Sequence, residues 1–111
     1  MPLFFNITFK TRMRTKARII LRGEVVPHYS DWSADQYLKV NREITEKVRK
    51  TIVELPCRPN KGDRVNLKTF KEKFALNKLE CECLDDVNYL AQVVDIEIRD
   101  GHLDVHVKKI E

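Results

Sequence analysis

His102, Asp104 and His106 recur at every second position near the end of the chain, and Asp95, Glu97 and Arg99 do the same just upstream. Alternate residues of an extended strand share a face. Pairing these two stretches would therefore gather two imidazoles and three carboxylates on one surface. Such nitrogen and oxygen donors suit zinc or another divalent ion, and Glu97 set against Asp104 is a like-charge pair that a cation would relieve. The metal reading thus names His102, Asp104, His106, Glu97 and Asp95. Its plainer rival is a solvated sheet face on which Asp95 pairs with His106 across the strands and Arg99 offsets Glu97 on the diagonal. Same-face neighbours on one strand stand about 6.5–7 Å apart, wide for ligands of a single ion.

The elements that must position these residues are two alternating runs, residues 93 to 99 and 102 to 108, joined by Asp100-Gly101. Asp-Gly between period-2 runs predicts a hairpin with a type I′ turn, both central residues at positive φ. Counting outward from the turn sets Arg99 opposite His102, Glu97 opposite Asp104 and Asp95 opposite His106. The opposite face then carries Ile98, Leu103, Ile96, Val105, Val94 and Val107, which is a core face.

A second constellation is electrostatic. Lys10, Arg12, Arg14, Lys16 and Arg18 alternate over nine residues, and residues 1 to 23 hold six cations and no acid, so a chain of net charge +4 leaves −2 for the remainder. In an extended conformation these side chains form a positive row able to track a phosphate backbone. Phe4, Phe5 and Phe9 lie close enough in sequence to supply stacking surfaces. The same charges can instead guard a sheet edge against edge-to-edge pairing, with the phenylalanines in the core. Tyr29 and Trp32, aromatic residues ahead of a helix, either staple its start or anchor an interface.

The three cysteines, Cys57, Cys81 and Cys83, lack paired C-x-x-C spacing, so a zinc ribbon is disfavoured. Leu79-Glu80-Cys81-Glu82-Cys83 alternates as a strand, which puts both thiols on one face with Leu79, in the core and badly placed for a mutual disulfide. Reduced thiols imply a cytoplasmic, intracellular setting. The chain has no Gly-rich phosphate loop, no G-x-S-x-G elbow and no H-E-x-x-H, and its glycines number only three. Cys57 with His28 or His102 is a nucleophile pair that only folding would assemble. Catalysis has little support, and no cofactor is implied.

One helix is well marked. Ser33 is a good N-cap, Gln36 completes a capping box, and Trp32 is placed to pack on Tyr37. Tyr37, Val40, Ile44, Val48, Ile52 and Leu55 then recur at helical spacing, with Glu43–Lys47 and Glu46–Lys50 pairs on the polar side and Pro56 as the stop. Leu3 to Phe9 and Lys16 to Val26 read as strands, the latter turning Ala17, Ile19, Leu21 and Val25 inward. Arg64 to Leu67 reads as a short strand, Lys68 to Lys78 fits helix or strand equally, and Leu84-Asp85-Asp86 reads as a turn.

With 111 residues and 42% hydrophobic composition, the expectation is a single domain, residues 1 to 111, of α+β class. Its sheet is mostly antiparallel, with curling into a small barrel as a variant, and one long amphipathic helix covers it. No apolar run is long enough to span a bilayer, so no membrane partner is expected. The functional expectation is a non-enzymatic interaction or structural protein, self-associating or binding another protein through sheet edges and the basic N-terminal segment. Nucleic-acid binding is the first alternative, and a metal-dependent role at the last hairpin the second.

Overall fold

Ala17, Ile19 and Leu21 are buried while Lys16 and Arg22 are exposed, the signature of a strand with one face on a core, and they form β1 (Thr15–Arg22). A computed structural model describes residues 14–87 and 89–110. The strand expected over Leu3 to Phe9, together with Lys10 and Arg12, lies outside the described residues.

After β1, Ser33 caps α1 (Ala34–Arg49), its hydroxyl accepting the Gln36 amide at 3.1 Å. Tyr37, Val40, Ile44 and Val48 are buried along one stripe, and truncating such a side chain to alanine costs about 2–5 kcal/mol. The expected staple takes another form: Tyr37 stacks on His28 with centroids 4.5 Å apart, and Trp32 tilts against Tyr29 at 4.8 Å.

The helix stops earlier than its periodicity suggests. Ile52 and Leu55 belong to β2 (Ile52–Leu55), not to the helix, with Val53 and Leu55 inward and Ile52 46% exposed. Thr51, Ile52 and Val53 are β-branched and favour a strand. Pairing antiparallel to β1 satisfies their backbone groups, Lys16 facing Glu54 and Ala17 facing Val53.

A short β3 (Arg64–Asn66) leads into a 3-10 segment, Leu67–Phe74, which resolves the ambiguous stretch as helical and buries Leu67 and Phe74. Next comes α2 (Lys78–Val87), where alternation had predicted a strand and then a turn. Local hydrogen bonding decides it: the Asn77 side chain accepts the Glu80 amide at 2.8 Å while Glu80 accepts the Asn77 amide at 2.9 Å, a reciprocal capping box. Glu80, Cys83 and Leu84 then form the buried stripe, at helical spacing. Cys81 and Cys83 consequently do not share a face, Cys83 being buried and Cys81 only partly so.

The chain closes with β4 (Leu90–Arg99) and β5 (His102–Lys109) in the derived register: Arg99–His102, Glu97–Asp104 and Asp95–His106 face each other. Two details differ. Positive φ falls on Gly101 at 86° but not on Asp100, the pattern of a type II turn rather than type I′. A bulge between Val93 and Asp95 makes Val94 the extra residue, so Val93, not Val94, pairs with Val107 and is buried. Near the turn, Ile98 is carried out to solvent at 73% exposure, although it lies on the face that is core further along.

Among the described residues, five strands form one sheet in the order β2-β1-β5-β4-β3, curled into a half-barrel. Three of these pairings are antiparallel, and that of β1 with β5 is parallel. The fold is α+β, with α1 on the apolar face. Among the described residues no helix is long and apolar enough to cross a membrane.

Candidate interaction face of the sheet

The parallel pairing of β1 with β5 decides what the polar face contains. It sets Arg18 opposite Asp104, Ile20 opposite His106 and Arg22 opposite Lys108. Beyond β5, the bulge in β4 returns Asp95, Glu97 and Arg99 to the same face. Three ranks of residues therefore cross the sheet: Arg18, Asp104 and Glu97; Ile20, His106 and Asp95; Arg22, Lys108 and Gln92.

Asp104 is the centre of the first rank and is 0% exposed. A lone buried carboxylate would cost several kcal/mol, so its charge has to be met. Arg18 does so with two bonds, Nε to Oδ1 and Nη2 to Oδ2, both 2.9 Å. Arg99 adds Nε to Oδ2 at 2.8 Å, and His102 Nε2 lies 3.2 Å from Oδ1. The Arg18 hydrogen bonds, outweighing burial and aided by Arg99, hold the Asp104 carboxyl well below the usual carboxylate range. The same bonds raise both guanidiniums.

A second chain of contacts runs through His106. Its Nε2 is 2.7 Å from Glu97 Oε1, and Arg22 Nε donates to its Nδ1 at 3.2 Å. A carboxylate on one nitrogen and a donor on the other fit the neutral Nε2–H tautomer. Arg99 Nη2 also reaches Glu97 Oε2, at 3.4 Å, and joins the two chains. The arginines are thus held from beneath by anions or by an imidazole while the face itself is open: Lys16, Arg22, Lys108, Glu97 and Arg99 are exposed.

The five residues of the metal reading share this face, but their donor atoms are otherwise engaged. Two guanidiniums occupy both oxygens of Asp104, His106 turns to Glu97 rather than to Asp95, and Asp95 lies 3.9 Å from Lys61. Among the described residues no group of three or more His, Cys, Asp or Glu is placed to hold a metal ion. Arg99 does meet Glu97, but along β4, two residues apart on the same strand, rather than on a cross-strand diagonal.

Of the basic row, Lys10 and Arg12 lie outside the described residues. Arg14 sits 3.8 Å from Glu54, Arg18 is committed to Asp104, and Lys16 projects freely from β1. The uninterrupted positive row expected of an extended segment is in this part broken by internal pairing. Nearby cations that the sequence did not single out, Arg22 and Lys108, replace it, because only the unforeseen parallel pairing sets them side by side.

Tyr29 and Trp32 line a cavity of about 340 Å³ with Asp31, Leu79, Glu82 and Asp86. The Tyr29 hydroxyl donates to Asp86, and burial, foremost, raises its pKa. Both rings also pack against the core, so they staple the approach to α1 as well as border a cavity. No nucleophile pair is assembled from Cys57: it is exposed in the loop after β2, while His28 pairs with Glu24 and His102 with Asp104. Burial pushes the Cys83 thiol up, away from reactivity.

Glu80 was missed in the sequence, although Asn77-x-x-Glu80 is a legible capping box. It is 1% exposed, and Lys47 Nζ meets its Oε1 at 2.6 Å. The chain matches no family model, and no curated protein or solved structure shows significant similarity to it.

Proposed function

We propose that this chain is a non-enzymatic interaction module that engages an acidic protein surface through the polar face of its sheet. The supporting observation is the burial of Asp104 beneath Arg18 and Arg99. A carboxylate placed at the floor of an open face fixes two guanidiniums above it, and arginines whose conformations are already restricted lose less entropy when they pair with an anion. The exposed side of that face bears Lys16, Arg22 and Lys108 as well, an excess of cations that complements an acidic partner. The sheet edges are less suited: β2 and β3 are four and three residues long and carry the charged side chains of Glu54 and Arg64, features that discourage edge pairing.

The test is fluorescence anisotropy with a labelled glutamate-rich peptide at low and high salt, alongside size-exclusion chromatography. Saturable binding that weakens with salt and is lost in Lys16→Glu and Lys108→Glu is expected. Absent binding at low salt, or binding indifferent to both substitutions, refutes the proposal. A second reading, a nucleic-acid-binding module, is favoured by Lys16, Arg18 and Arg22 sharing one face of β1. A labelled single-stranded oligonucleotide bound more tightly than the peptide, with a steeper salt dependence, selects it.

A further inference from the structure

The rank formed by Arg22, Lys108 and Gln92 has no acid in it, unlike the rank of Arg18, Asp104 and Glu97 four residues away along β1 and β5. Like charges directly opposite each other on neighbouring strands repel. Here Arg22 donates only to a neutral acceptor, His106 Nδ1, and Lys108 makes no ion pair among the described residues. The two cations stand where β1 and β5, running parallel, both end. They border a cleft of about 430 Å³ closed on its far side by the loop from Gly23 to His28, with Lys109 also lining it.

That loop is fixed to the helix. Asn41 Oδ1 accepts the amides of Val25 and Val26, at 2.6 and 3.2 Å, and His28 stacks on Tyr37. Among the described residues the one acid lining the cleft, Glu24, is taken up by His28 at 2.9 Å. A held loop, two opposed cations and an acid already engaged make a concave site of positive charge.

We propose that this cleft binds a phosphate-type oxyanion, with Arg22 and Lys108 contacting it from the two strands. The assignment rests on the cationic-face reading and sharpens it, naming the group an acidic partner would present there. Arginine meets a tetrahedral oxyanion through two N–H groups while lysine supplies a point charge. His106 acts as a positioning residue, since its Nδ1 holds the Arg22 Nε and leaves the guanidinium's outer nitrogens for the ligand.

The experiment is an amide-resolved NMR titration with inorganic phosphate at constant ionic strength, repeated with O-phosphoserine and with ribose 5-phosphate to identify the carrier. Saturable shifts confined to Gly23, Val26, Lys108 and neighbouring amides are expected. Arg22→Gln and Lys108→Gln should each weaken binding about tenfold, and Lys39→Gln, exposed on α1 and outside the cleft, should leave it unchanged. His106→Phe should weaken binding less than Arg22→Gln. Linear, unsaturating shifts, or equal loss in Lys39→Gln, overturn the proposal. Should phosphate fail while the glutamate-rich peptide still binds, the cleft alone is wrong; should both fail, the cationic face falls with it.

Discussion

Arg18 and Asp104 stand 86 positions apart in the chain and directly opposite each other across the parallel strands β1 and β5, the arginine reaching each carboxylate oxygen at 2.9 Å. One end of the described chain is thereby tied to the other by a charge-assisted, two-point contact in the middle of the sheet. Arg99 completes the enclosure from β4, so the contact joins three strands rather than two. It gives the polar face both rigidity and its arrangement of cations.

Replacing Asp104 by asparagine should therefore be costly. Asparagine keeps one acceptor but sets an N–H against a guanidinium, and the loss should be about 3 kcal/mol at neutral pH. The pH dependence has a definite sign. A carboxyl whose pKa is depressed by folding contributes stability above its unfolded value, about 3.9, and loses it as pH falls toward the folded value. Urea denaturation at pH 6 and pH 3 should show the gap between parent and Asp104→Asn narrowing at the lower pH. A gap that stays constant or widens would falsify the assignment.

The Lys47–Glu80 contact predicts a different pattern. Glu80 Oε1 takes both the ammonium and the Asn77 amide, whereas Oε2 is buried without a partner. Lys47→Met leaves that carboxylate uncompensated and should destabilise the protein by about 3 kcal/mol. Adding Glu80→Gln removes the stranded charge while retaining the cap, so the double variant should recover at least about half of the loss. Additive losses in the two single variants would show that the residues are not coupled.

Much of this architecture was legible in the residues themselves. The hairpin register followed from Asp100-Gly101 and two period-2 runs, and the α1 start from Ser33 and Gln36, because both depend on neighbours within a few positions. What failed did so where two local signals competed. Ile52 and Leu55 fit the helical stripe of α1, but the β-branched stretch and an available edge on β1 made a strand. The alternation from Leu79 to Cys83 suggested a strand, but the Asn77–Glu80 box nucleated a helix. At Val94 a single-residue bulge shifted which residue of the run faces inward. The polar network was least accessible, since placing Arg18 beside Asp104 and Arg22 beside Lys108 requires knowing that β1 lies parallel to β5, a pairing between distant segments that no local pattern encodes.

Ala75 ends the 3-10 segment at φ 55°, the left-handed region, and it is exposed. For an L residue with a Cβ this conformation costs about 1–2 kcal/mol, whereas glycine adopts it freely at some expense in unfolded-state entropy. Ala75→Gly should accordingly stabilise the protein by about 0.5 kcal/mol, read as a higher urea midpoint at unchanged slope. A lower midpoint would mean that the alanine methyl group contributes packing that outweighs the strain.

Zinc offers the sharpest check on the occupancy of the polar face. An ion entering among His102, Asp104, His106, Glu97 and Asp95 must displace two guanidiniums from Asp104 and separate His106 from both Glu97 and Arg22. Each displaced arginine would be left beside a dication, so binding would cost the network its charge balance. Chelation of the purified, untagged protein should leave its melting temperature unchanged, and zinc in about tenfold excess should raise it by less than about 1 °C. A rise of several degrees that disappears in His106→Ala would show that the guanidiniums yield to the metal, and that the arginines hold the face only when no ion is offered.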